Sequence, residues 1–156
     1  MFKSAVLAAF TASLLAVTGC SGGHAIVPAD IFQMVNEQGR ERTYDLLWQD
    51  VRRLEGALER GEQSNFEEQA LIILSRINRL AEGRASAMNH DRFSKVLTNA
   101  AQETVARSER ARSRLLLETA RALRVAFDAG DFMEAQDLAL EALAEARALG
   151  PSKANG

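Results

Sequence analysis

Cysteine, proline, histidine and unbalanced charge are all scarce in this chain, and each scarcity excludes something. A single cysteine rules out a disulfide scaffold. The only prolines are Pro28 and Pro151, so the long stretch between them has no residue that must break a helix. Nineteen Lys and Arg stand against 21 Asp and Glu, a formal net charge of -2, which excludes a strongly basic nucleic-acid binder. The uninterrupted stretch of apolar or small residues from Ala5 to Val17 covers about 20 Å at ~1.5 Å per residue, too little for a permanent membrane span of ~30 Å. Chemical motifs are absent too: there is no Gly-x-Ser-x-Gly elbow, no phosphate-binding glycine loop and no Cys-x-x-Cys-His haem attachment. A di-iron bundle needs Glu-x-x-His twice, and the only histidines are His24 and His90. His24 reads as a solvated linker residue and His90 as a polar residue at a helix start. The sequence therefore assigns no catalytic residue, no metal ligand and no cofactor, and it reads as a non-enzyme.

What is present begins with an address. Lys3, the apolar stretch and the tetrapeptide Val17-Thr18-Gly19-Cys20 follow the layout of a secretory signal. The tetrapeptide resembles the bacterial lipobox: an aliphatic residue, two small residues that let an extended chain enter a tight protease groove, and a cysteine. The resemblance implies cleavage between Gly19 and Cys20, diacylglycerol in thioether linkage on Cys20, and further acylation of the new N-terminus. Two or more acyl chains anchor a protein stably where one does not. Ser21, in place of aspartate, implies the periplasmic face of the outer membrane. Residues 1–19 are thus expected to be a lipoprotein signal peptide, and residues 20–29 a lipidated cysteine with a tether. That tether reaches at most about 30 Å at ~3.3–3.6 Å per residue.

Residues 30–150 read as helix throughout, and residues 151–156 as a disordered tail. Asp30 followed by Gln33 suggests a capping box, after which Tyr44, Leu47, Val51, Leu54 and Leu58 form one apolar stripe. Gly39 is expected to bend this first helix and Gly61 to end it. Ser64-Asn65-Phe66-Glu67 opens a second helix that buries Ala70, Ile73, Leu74, Ile77 and Leu80 before Gly83. A third helical region runs from about Asn89 to Ala129, either unbroken or bent near Ser108. Phe93, Val96, Leu97 and Ala100 line its start, and Leu116, Ala120, Leu123 and Phe127 its end. Gly130 closes it, Asp131-Phe132-Met133-Glu134 caps the next helix, and Ala135, Leu138, Ala139, Ala142, Leu143, Ala146 and Leu149 share a face before Gly150-Pro151.

The fold expected is all-α: an antiparallel bundle of about four helices built from two α-hairpins, since short connections place successive helices side by side. The turn from Ala126 to Gln136 resembles those of four-helix b-type cytochromes and of tetratricopeptide repeats. The cytochrome resemblance implies an axial Met, for which Met34 would serve, and an axial His in the last helix, where the sequence has none. The repeat resemblance implies bulky residues where Thr119, Ala122 and Ala126 stand.

Charge supplies the remaining signal. Arg107, Arg110, Arg112, Arg114, Arg121 and Arg124 make the third region basic, whereas Asp131, Glu134, Asp137, Glu141 and Glu145 make the last helix acidic. Pairing across the hairpin would set Arg124 near Glu134 or Asp137 and Arg121 near Glu141. The distal Arg107, Arg110 and Arg114 are left as candidates for binding a partner. Tyr44 and Trp48 read as an edge-of-core pair, or, with Arg52 beside them, as an interface anchor. The function expected is a membrane-anchored periplasmic lipoprotein that serves as a protein-interaction or structural module of the cell envelope. Its partners are membrane lipid through Cys20 and an envelope protein, with no nucleic acid; the alternative is a carrier of haem or another apolar ligand.

Overall fold

The computed structural model describes residues 26–82 and 90–150. Cys20, Gly19 and His24 lie outside the described residues, as do Gly83 and the tail. Among the described residues the chain is all-helical, with six helices and no strand: α1 Ala29–Glu37, α2 Arg40–Glu59, α3 Phe66–Ala81, α4 His90–Val105, α5 Glu109–Asp128 and α6 Phe132–Leu149. Six replace the expected four because the first and third helical regions are each broken in two. Gly39, at φ 73°, takes a left-handed conformation that ends α1 and starts α2. Ser108 breaks the third region, its hydroxyl accepting the Ala111 N–H as the N-cap of α5.

The turns that follow α2 and α5 close in the same way. After α2, the Gly61 N–H bonds the Leu58 carbonyl and the Glu62 N–H bonds the Ala57 carbonyl. After α5, Gly130 bonds Phe127 and Asp131 bonds Ala126 in the same pattern. This double closure satisfies carbonyls that a helix end leaves without partners, and it needs a positive φ at Gly61 (64°) and Gly130 (75°). Asp131 then caps α6 by accepting the Glu134 N–H at 3.1 Å, as its box predicts. The other two boxes are corrected. In α3 the cap is Asn65, bonding Glu68 N–H at 3.2 Å, while the Ser64 hydroxyl accepts from Gln69 instead. In α1 the N-cap is Pro28, Asp30 lies inside the helix, and Gln33 donates to Glu37.

Most of the expected stripe residues are buried, but Val96, Leu97, Leu138 and Leu149 are half-buried at the edge of the core and Tyr44 is 43% exposed; Thr43 is buried on that turn, its hydroxyl on the Gly39 carbonyl. Helix α6 occupies the centre, packed by α3, α4 and α5, while α2 lies against α3 and α5, and α1 against α3. That position explains why α6 is buried on nearly every side, with Ala142, Leu143, Ala144, Glu145 and Ala146 all inaccessible. Its alanines let three helices approach a single axis closely. Side-chain pairs fix the directions. Arg76 to Asp50 (2.7 Å), Arg124 to Glu55 (3.4 Å), Thr119 to Glu145 (2.9 Å) and Arg147 to Glu67 (3.1 Å) each join residues whose helices run antiparallel. No helix of the described residues is long and apolar enough to cross a membrane.

Candidate functional site

Where the end of α2 faces the start of α5, the helices leave a groove of about 910 Å³. Leu58, Ala111 and Leu117 line it, with Gly61 and Ser108 at the two chain turns. A second depression of about 650 Å³ continues past Ser64 and Phe66 to Leu149 and Gly150 at the end of α6. Arg110 and Arg114, one helical turn apart on α5, stand on the wall of the larger groove. Arg60 stands on the α2 side and turns to Glu62, with Nε to Oε1 at 2.5 Å. That hydrogen bond holds the Glu62 carboxyl below its usual range and raises the Arg60 guanidinium.

The arginines of α5 divide by the direction in which helical geometry points them. Arg112 is consumed structurally. Its Nε donates to the Thr104 and Arg107 carbonyls, Nη2 to Val105 and Nη1 to Ala148, so one guanidinium ties off the ends of α4 and α6. Arg121 and Arg124 pair with Glu59 (2.7 Å) and Glu55 (3.4 Å) of α2. The expected pairs to Glu134, Asp137 and Glu141 of α6 do not form. Thr119 marks the side of α5 that meets α6, and at ~100° per residue Arg121 and Arg124 point about 200° and 140° away from it. Asp137 is taken by Arg92 of α4 at 3.0 Å. Arg110 and Arg114 are exposed and make no hydrogen bond or ion pair among the described residues. Arg107, also exposed, lies in the α4–α5 turn outside the groove lining.

Tyr44 and Trp48 belong to the other end of α5. The Tyr44 ring meets Phe127 with centroids 4.7 Å apart, and Phe127 in turn meets Phe132 edge-on at 6.3 Å. Trp48 is half-buried and donates from Nε1 to Asp128 Oδ1 at 2.9 Å, with the Arg52 guanidinium 4.9 Å over its ring. The pair therefore edges the core, and the structure does not bring it together with the arginines. Met34 is exposed on α1, and His90 is the first residue of α4. Among the described residues no group of three or more His, Cys, Asp or Glu is placed to hold a metal ion.

Buried charge escaped the sequence reading: Arg76 and Glu55 are buried in ion pairs, and Glu145 without one among the described residues. Glu145, taken there as part of an acidic face, is 3% exposed. Its Oε1 accepts from the Thr119 hydroxyl at 2.9 Å, and its Oε2 is buried with no hydrogen-bond partner. Burial pushes its pKa up to about 7, with Glu141 and Glu118 adding to the rise and the Thr119 hydrogen bond and Arg107 opposing it. The available signal was position: Glu145 interrupts an alanine-leucine run, and Thr119 interrupts the apolar stripe of α5. The groove floor escaped as well, because Leu58 reads as core from periodicity alone and Leu117 falls outside the apolar stripe of its helix. No protein-family model, no curated protein and no solved structure matches the chain.

Proposed function

We propose that this chain is a lipid-anchored protein of the bacterial cell envelope whose helical domain works by holding a partner protein rather than by catalysis. The acylated Cys20 places it, at the periplasmic face of the outer membrane. We read α2–α3 and α5–α6 as two hairpins closing on each other as an antiparallel four-helix core, with α1 and α4 packed outside. The observation that carries the reading is the contrast along α5. Arg112, Arg121 and Arg124 are committed to neighbouring helices, whereas Arg110 and Arg114 stand unpaired beside an apolar groove. Unpaired arginine beside concave apolar surface is the composition of an association site.

The test is mild crosslinking in membranes followed by recovery of the protein, comparing wild type, Cys20→Ser and an Arg107/Arg110/Arg114→Glu variant. A specific envelope protein recovered with wild type and lost in the arginine variant is the expected result. Recovery of the same proteins with wild type and the arginine variant, or of none with either, overturns the reading.

A further inference from the structure

The groove between α2 and α5 has a more specific chemistry than a general binding face. We infer that it takes a short acidic segment of a partner protein, two carboxylates paired to Arg110 and Arg114 and an apolar side chain seated on Leu58 and Leu117. This rests on the association reading above and names the partner's chemistry.

Charge complementarity is the first argument. Arg110 and Arg114 project from successive turns of one helix, roughly 5–6 Å apart at their Cβ atoms. Two carboxylates two residues apart on an extended segment, at ~3.3 Å per residue, match that separation. The other charges lining the groove itself are already balanced, Arg60 with Glu62 and Glu59 with Arg121; Glu109, on the depression that continues it, is an acid without an ion pair among the described residues. An incoming carboxylate thus meets two uncommitted guanidiniums, each able to bind it through a two-pronged fork. Filling of apolar space is the second argument. A floor of Leu58, Ala111 and Leu117 between two helices gains nothing from a phosphate headgroup, which would satisfy the arginines alone. An acidic segment bearing one leucine or phenylalanine satisfies both halves of the site.

The probe is a library of random twelve-residue peptides displayed on phage, selected against the purified full chain in detergent, with the selected peptides synthesised and labelled for fluorescence polarisation. Peptides enriched in Asp or Glu beside a large apolar residue are expected. Their affinity should fall at least tenfold in Arg110→Glu/Arg114→Glu, whose helicity is checked by circular dichroism, and should be unchanged in Arg52→Glu. Affinity should also weaken as salt is raised, and peptides with Lys in place of Glu should regain binding to the double variant. Selection of peptides without acidic residues, or equal binding to wild type and the double variant, overturns the inference. So does binding to phosphatidylglycerol vesicles, lost in the double variant, with no peptide selected. A partner recovered from membranes with wild type and lost in the arginine variant, but crosslinked through a segment without acidic residues, would overturn this inference while leaving the association reading standing.

Discussion

Glu145 sits at the contact of α5 with α6, where its carboxyl has one hydrogen bond, from Thr119, and an inward oxygen with none. A carboxyl whose folded pKa is about 7, against 4.5 in an unpaired reference, binds more protons folded than unfolded between those values. Stability should therefore fall as pH rises from about 4.5 to 7 and level off above that, by on the order of 3 kcal/mol at ~1.36 kcal/mol per unit. Glu141, also raised chiefly by burial, acts in the same direction. Urea unfolding followed at the single Trp48 should show the higher midpoint at pH 5 than at pH 8. In Glu145→Gln, which keeps an acceptor for Thr119 without the charge, most of that difference should disappear; an unchanged pH slope would count against the buried carboxyl as its source. Arg112 is the second residue with a sharp expectation. Losing its bonds to carbonyls at two helix ends should cost about 2–3 kcal/mol in Arg112→Ala, by the usual worth of hydrogen bonds to a charged group. Arg112→Lys should rescue little, because a point-charge ammonium cannot reproduce the planar fork. Hydrogen exchange would then quicken at the ends of α4 and α6 first.

At the scale of elements, the sequence disclosed its apolar stripes well and its breaks poorly. Leu47, Val51, Leu54 and Leu58, or Ile73, Leu74 and Ile77, are buried as their spacing requires, because a helix face has only one way to meet a core. The glycine closures at Gly61 and Gly130 were legible because a residue followed by a capping side chain is a local signal. The break at Gly39 was legible only as a bend, since a glycine inside a helix and a glycine between two helices look the same in sequence; tertiary packing of α1 on α3 decided it. Cross-helix ion pairs were misread for a related reason. Their choice of partner depends on which side of α5 each arginine occupies, and no nearest-neighbour argument sees α2 packing there. The groove was half legible: Arg110 and Arg114 stood out by charge, but a concave floor forms where two helices face each other, which the sequence of neither helix records. The α5–α6 closure gives a prediction at this scale. Gly130→Ala forces a side chain into a positive φ and should destabilise by about 1–2 kcal/mol, even though its added Cβ would meet no atom. Asp131→Ala, removing the cap of α6, should cost about 1 kcal/mol. Thermal unfolding of both variants checks the pair. Since a turn already opened at Gly130 no longer holds Asp131 in place to cap α6, the double variant should lose less than the two losses added, residues in one turn being coupled.

At the scale of the whole molecule, the proposed anchor decides how far the helical body can travel. If Cys20 carries the lipid, the tether before α1 spans at most about 30 Å even when fully extended, so the body and its groove stay within reach of whatever lies at that membrane surface. A short lead raises the local concentration of the groove for a partner held at the same membrane and lowers it for one that diffuses freely, which favours modest affinity per contact. Location and binding should then be separable. Cells supplied with radiolabelled palmitate should label wild type and leave Cys20→Ser unlabelled. The serine variant should also fail to mature at Gly19 and run larger on a gel. Ser21→Asp should keep the label but shift the protein from outer-membrane to inner-membrane fractions, with its circular dichroism unchanged. In Arg110→Glu/Arg114→Glu the label and the fraction should match wild type while partner recovery is lost. Label persisting in Cys20→Ser would place the acyl group elsewhere and remove the anchor from the argument. The groove would then have to find its partner at ordinary solution concentration, and its affinity would have to be correspondingly higher.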